Sequence, residues 1–185
     1  MTAEVADSLA RQRRDALAAL ELLGPAAEAA RAYVSLRPDA TSRECRPDHV
    51  TASAVVLSPD AGWVMLHLHA KVGRWLQFGG HLEPADACLA EAALRETREE
   101  SGCAEAQLWS PRPVRVDVHD APCGARHHLD VQYAAIVPAD AQPRRSAEST
   151  AVEWFAVSAL PASCDASVRR LVAQAVSVVR PTPSS

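Results

Sequence analysis

Two adjacent glycines, Gly79-Gly80, followed by the run Arg95-Glu96-Thr97-Arg98-Glu99-Glu100-Ser101-Gly102, constrain this chain more than any other feature. Glu96, Glu99 and Glu100 stand at i, i+3 and i+4, so a helix through them carries three carboxylates on one face. Such a face repels itself unless a cation sits among the acids. Hard divalent cations prefer carboxylate oxygen and keep waters that a phosphate can replace. Arg95 lies four residues before Glu99 and can orient that carboxylate through a charge-assisted hydrogen bond. A merely solvated Glu/Arg face needs no glycine loop before it, whereas Gly79-Gly80 permits a tight turn and a close backbone approach to a ligand. Together the two features read as a site for a metal-bound diphosphate.

The rest of the chain must frame that helix. It is expected over 87–101, with Asp86 as N-cap, Gly102 at its end, and Leu89, Ala92, Ala93 and Thr97 on its buried side. Strands are predicted at 51–57 and 63–69 around the turn Ser58-Pro59-Asp60-Ala61-Gly62. In the second of these Val64, Leu66 and Leu68 share one face, and Met65, His67 and His69 the other. Further strands are expected at 114–119, 128–137 and 152–157, with a closing helix over 167–179. Apolar residues at helical spacing between Ala6 and Leu36, interrupted at Gly24-Pro25, predict two helices. Residues 37–48 have connector composition. The organisation expected is an N-terminal helical extension and connector (1–48), one domain (49–180) whose central sheet is covered on both faces, and a tail (181–185).

A chain of 185 residues with 48% hydrophobic content can close one core without disulfide or metal staples. The net charge of -4 offers no basic field, so a nucleic-acid polymer is not expected as partner. The five cysteines (Cys45, Cys88, Cys103, Cys123, Cys164) are widely spaced without a C-x-x-C pair, and indicate neither a disulfide framework nor a zinc template. No segment approaches the ~20 apolar residues that span a bilayer, so a cytoplasmic protein without a membrane partner is the expectation. For Trp63, Trp75, Tyr133 and Trp154, core packing is favoured over base stacking.

The run from Gly80 to Cys103 resembles the Nudix box, whose second half reads Arg-Glu-(apolar)-x-Glu-Glu-x-Gly-(apolar). Gly80, Arg95, Glu96, Glu99, Glu100 and Gly102 match, and Cys103 fills the closing apolar place. Two departures stand out. Asp86 occupies the place of the first Glu, with eight residues rather than seven between it and Arg95, and Thr97 stands where an aliphatic residue is usual. Both predict an altered loop with the metal-binding acids retained.

The resemblance implies an α+β fold, a Nudix-like α/β/α sandwich with a central mixed β-sheet, here preceded by the helical extension. It implies a Mg²⁺-dependent pyrophosphohydrolase, with Mn²⁺ as alternative, that cleaves a nucleoside diphosphate linked to another moiety by water attack at phosphorus. Glu96, Glu99, Glu100 and the Gly80 carbonyl would be the metal-ligand set, Glu99 or Glu96 the general base, and Arg95 the residue that holds a glutamate in place. Outside the box, Glu148 and Asp130 are candidates for a further base or ligand. Lys71, Arg74, His81, His128 and Asp130 are candidates for substrate contact. His119, His127, His128 and Asp130 form a polar group for which a transition-metal site is one reading, since histidine is a good ligand, but the spacing matches no zinc template and contacts to substrate or neighbouring loops are favoured. Two other readings are a nucleotide-sensing module of the same fold without catalysis, and isoprenoid diphosphate isomerisation, for which no active-site cysteine setting is evident. A homodimer is compatible with the sequence.

Overall fold

The computed structural model describes residues 2–121, 123–138 and 140–180; the expected tail 181–185 lies outside them. Its axis is β1 (Asp48–Leu57), buried along nearly its whole length. β1 runs parallel to β7 (His127–Ile136), with partners from Asp48↔His127 through to Leu57↔Ile136. A parallel pair is stable only when both faces are covered, which is why Val, Ala and Leu dominate these strands. β2 (Trp63–His69) closes the predicted hairpin onto the C-terminal end of β1, pairing Val56↔Met65. β4 (Phe78–His81) runs antiparallel to the other half of β1, from Thr51↔His81 to Ala54↔Phe78. β3 (Trp75–Leu76) and β8 (Ser149–Ala156) pair with β2, while β5 (Gln107–Leu108) and β6 (Arg115–Asp120) pair with β7. The result is one mixed sheet.

Helices cover both faces, as expected. On one side Ala52, Ala54, Val56, Val131 and Tyr133 pack against α1 (Ala3–Leu22), α2 (Glu28–Leu36) and α3 (Leu89–Ser101), through Ala16, Leu20, Val34, Leu89, Ala92 and Ala93. On the other, Val55, Leu57, Val64 and Leu66 meet Val168, Leu171, Val172 and Ala175 of α4 (Ala166–Val179). A short 3-10 turn, Gly24–Ala27, makes the predicted break between the first two helices. Among the described residues, no helix is long and apolar enough to cross a membrane.

Two expectations need correction. α3 begins at Leu89 with Cys88 in the N-cap position and no side-chain cap of its own. Asp86 is turned back into the preceding loop, where its Oδ2 accepts from the Glu83 N–H at 2.7 Å. The α3 N-terminus is capped instead across the fold, by Asp15 of α1, whose Oδ2 accepts from the Leu89 N–H at 2.7 Å. Trp63, expected in the core, is 51% exposed at the start of β2, whereas Tyr133 is 1% exposed. Thr97, in the aliphatic place of the box, is fully buried, and its hydroxyl is satisfied by donating to the Ala93 carbonyl at 2.7 Å. Cys103 joins the core.

Candidate active site

The glycine pair lies in β4 between β1 and α3, with Gly79 pressed against the β1 backbone and Gly80 against the Glu96 carboxylate of α3. A Cβ on Gly79 would fall 2.6 Å from Ser53 Cα, and one on Gly80 would fall 2.6 Å from Glu96 Oε1. Here the need for glycine is space rather than backbone conformation. The Gly79 N–H donates to Glu100 Oε2 at 2.9 Å, so the two glycines face Glu96 and Glu100 directly.

Arg95 organises the acids. Its Nε and Nη2 form a two-pronged pair with Asp86, at 3.0 Å to each oxygen. Its Nη1 donates to Glu96 at 3.0 Å and Glu99 at 3.1 Å, and Nη2 also reaches the His81 carbonyl at 3.0 Å. The fork geometry of guanidinium makes this possible, and a lysine could not reproduce it. Asp86, the departure from the box, therefore holds Arg95 from the lengthened loop.

That loop is braced by the N-terminal helix. Gln12, 2% exposed, donates through Nε2 to the carbonyls of Glu83 (2.7 Å) and Asp86 (3.0 Å), and Arg11 donates to those of Pro84 and Asp86 at 3.3 and 3.4 Å. With the Asp15 cap, α1 fixes both the loop and the start of the acid helix. Sequence reasoning missed Gln12 and Asp15 because nothing in a helical repeat reveals which polar position meets a loop some seventy residues away.

Electrostatically the acids outnumber their cation. Burial pushes the Glu100 carboxyl up to about 8, against the lowering effect of the Gly79 N–H, and repulsion from Glu96, Glu148 and Glu99 adds to the rise. Burial also raises Glu96, partly offset by Arg95, with Glu99 and Glu148 pushing further upward. Arg95 is shifted upward in turn, chiefly by its bond to Asp86. One guanidinium does not neutralise this group. A set of hard carboxylate oxygens with unbalanced negative charge fits a divalent cation of the Mg²⁺ or Mn²⁺ class.

The remaining sequence candidates are dispersed. Glu148 is exposed and close enough to act on both Glu96 and Glu100, and its carbonyl accepts from the Ala70 N–H at 2.9 Å, which brings the loop carrying exposed Lys71 beside it. Arg74 instead pairs with Asp165, the N-cap of α4, at 2.9 Å. Asp130 is buried under donors from Thr51, Ser53, Gln77 and Gln132 at 2.7 to 3.2 Å, an arrangement that holds strands together. His81 and His128 meet one another beside His49 and Cys123, away from Asp130's bonds. His127 bonds Asp48 and His119 bonds Asp117.

The NUDIX domain family model matches residues 47–175. Among solved structures the chain is similar to a NUDIX-family hydrolase from Clostridium perfringens, at 23% identity over 71% of this chain and 98% of that one, with TM-score 0.61. It is similar to a C. elegans Ap4A hydrolase in a binary complex, at 18% identity over 68% and 93%, TM-score 0.58. It is also similar to the NUDIX domain of Shewanella oneidensis NrtR complexed with ADP ribose, at 17% identity over 75% and 93%, TM-score 0.57. Identities at this level show a shared fold. No curated protein matches the chain.

Proposed function

The chain belongs to the Nudix family, and from that premise we propose that it is a Mg²⁺-dependent pyrophosphohydrolase, also served by Mn²⁺, acting on a nucleoside diphosphate linked to a further moiety. The observation that carries this reading is the single clamp in which Arg95 gathers Asp86, Glu96 and Glu99 while the Gly79 N–H holds Glu100. A module freed from catalysis has no physical reason to keep mutually repelling acids packed against a glycine turn. The non-catalytic sensing alternative is disfavoured on that ground.

Glu96, Glu99 and Glu100, with the Gly80 carbonyl, would hold the cation. When bound, such an ion neutralises the diphosphate and lowers the pKa of a coordinated water. The chain's own residues do the rest. Arg95 positions Glu96 and Glu99 without contacting substrate. Glu99, whose side chain is 58% exposed against 17% for Glu96, is the member best able to reach a water and take its proton. Glu148 stands beside this group as a second candidate. Lys71, exposed on the neighbouring loop, is placed to meet outer phosphate oxygens, whereas the Arg74 contact with Asp165 directs that guanidinium elsewhere. The same reading places the protein in the cytoplasm, where its five cysteines, none in a disulfide, stay reduced. It also divides the chain near residue 48 into a bracing extension and the hydrolase domain.

Turnover of a panel of nucleoside triphosphates, dinucleoside polyphosphates and nucleotide sugars with Mg²⁺ tests the proposal. Glu99→Gln and Glu100→Gln should each lower the rate by at least about 100-fold while the fold survives, as expected for groups that position or activate the nucleophile. Full turnover in both variants, or equal turnover in EDTA, would refute it.

A further inference from the structure

A second constellation of ligand atoms lies outside the acid helix. β1 and β7 carry a polar stripe in register, His49 opposite His128 and Thr51 opposite Asp130, and β4 brings His81 opposite Thr51. Cys123 comes from the turn between β6 and β7. Among the described residues, these four side chains place their ligand atoms within 4.8 Å of one another. His49 Nε2 is 3.1 Å from His81 Nε2, and Cys123 Sγ is 3.6, 3.7 and 3.3 Å from the Nε2 atoms of His49, His81 and His128.

Four of the six separations have the lengths of a coordination tetrahedron's edges, and the two from His128 to the other imidazoles lie within 4.8 Å. With Zn–N near 2.0–2.1 Å and Zn–S near 2.3 Å, a tetrahedral ion sets its nitrogen ligands about 3.3 Å apart and each nitrogen about 3.6 Å from the sulfur. The second shell agrees. His49 Nδ1 lies 3.2 Å from the Cys45 carbonyl. A carbonyl only accepts, so Nδ1 carries the proton and Nε2 presents a bare lone pair to the centre of the cluster. His49 is fully buried and His128 is 9% exposed, while His81 and Cys123 are half-buried. Three imidazoles and a thiolate suit a borderline-soft ion and not Mg²⁺.

We propose that His49, His81, Cys123 and His128 form a closed structural Zn²⁺ site. The ion would staple β1, β4, β7 and the β6–β7 turn. Four protein ligands leave no open position for substrate, so its contribution is to the fold and not to the chemical step. Its consequence for the active site runs through His81, whose carbonyl receives Arg95 at 3.0 Å directly after the Gly79-Gly80 pair. The inference does not depend on the proposed hydrolase activity, because its ligands and the acid set are separate groups.

The reduced full-length protein, held in excess Mg²⁺ to occupy the acids, is titrated with Co²⁺ as an optical substitute. One equivalent should give intense tetrahedral d–d absorption with a thiolate-to-cobalt charge-transfer band, both removed by one equivalent of Zn²⁺, and Zn²⁺ should raise the melting temperature. Cys123→Ser changes a half-buried turn residue outside both apolar clusters. It should abolish the charge-transfer band and weaken Zn²⁺ by more than the roughly 100-fold lost when only a supporting group is removed. His81→Ala should weaken it likewise. A weak octahedral Co²⁺ spectrum, an unaltered spectrum in Cys123→Ser, or Zn²⁺ binding that disappears in Glu99→Gln but persists in Cys123→Ser would overturn the proposal.

Discussion

Replacing Asp15 with alanine tests whether the N-terminal extension is part of the active-site scaffold. Asp15 is on α1, yet its carboxylate supplies the N-cap hydrogen bond of α3, at 2.7 Å to the Leu89 N–H. Losing an N-cap acceptor costs about 1 kcal/mol, within a range of roughly 0.5–2. A negative charge at a helix N-terminus is ordinarily worth about 0.3–1 kcal/mol more. Burial outweighs that gain here: desolvation raises the Asp15 pKa above 3.8, with the Leu89 bond opposing the rise, so the charge itself adds nothing net. The expectation for Asp15→Ala is therefore the lost hydrogen bond alone, about 1 kcal/mol, or roughly 2–4 °C in Tm for a chain of this size. Asp15→Asn keeps an acceptor and should stay within about 0.5 kcal/mol of wild type. The sign of the pH dependence follows. A raised folded pKa contributes stability below 3.8 that is lost as pH rises through the folded value, so the asparagine variant should gain on wild type over that rise. Urea unfolding at matched m-values reads all three proteins. An Asp15→Ala loss under about 0.3 kcal/mol, or an asparagine variant as damaged as alanine, would refute the capping argument.

Glu100 offers a second pH test. Its carboxyl is raised from 4.5 to about 8 by burial, so its stability contribution in the metal-free protein is complete below 4.5 and lost as pH rises to about 8. In EDTA, Glu100→Gln should therefore be more stable than wild type at pH 8 and draw level near pH 5, and parallel pH profiles from urea melts would contradict this. Gly79→Ala must push into Ser53 backbone and should cost about 1–3 kcal/mol or more in thermal melts, whereas Gly80→Ala meets only the movable Glu96 carboxylate and should fold while losing activity. If the two variants were equally stable, the close-approach argument would fail. Arg95→Lys replaces a fork by a point charge and should lower kcat about 100-fold by misplacing Glu96 and Glu99, with retained kcat as the opposing result.

The box was legible because its information is local. Helical spacing alone places Glu96, Glu99 and Glu100 on one face, and Gly102, with φ 70, ends the helix where a left-handed residue is needed. The hairpin from β1 to β2 and the break at Gly24 were legible for the same reason, since turn residues and hydrophobic period act within a few positions. The role of Asp86 was half legible. Its acidity marked it, but only the folded loop shows it holding Arg95 instead of capping α3.

What the sequence determined by itself, then, is the type of the longer helices and strands and the chemistry of the acid helix, because these follow from spacing and side-chain identity over one or two turns. The short strands β3, β4 and β5 carry too few residues to show a period. The tertiary structure alone decided which distant residues serve that helix. Asp15 and Gln12 reach it across the core, and parallel pairing of β1 with β7 sets His49 against His128 before β4 and a turn add His81 and Cys123. Strand register and helix docking are fixed by burial of apolar faces. The polar groups those faces carry along meet wherever that burial puts them.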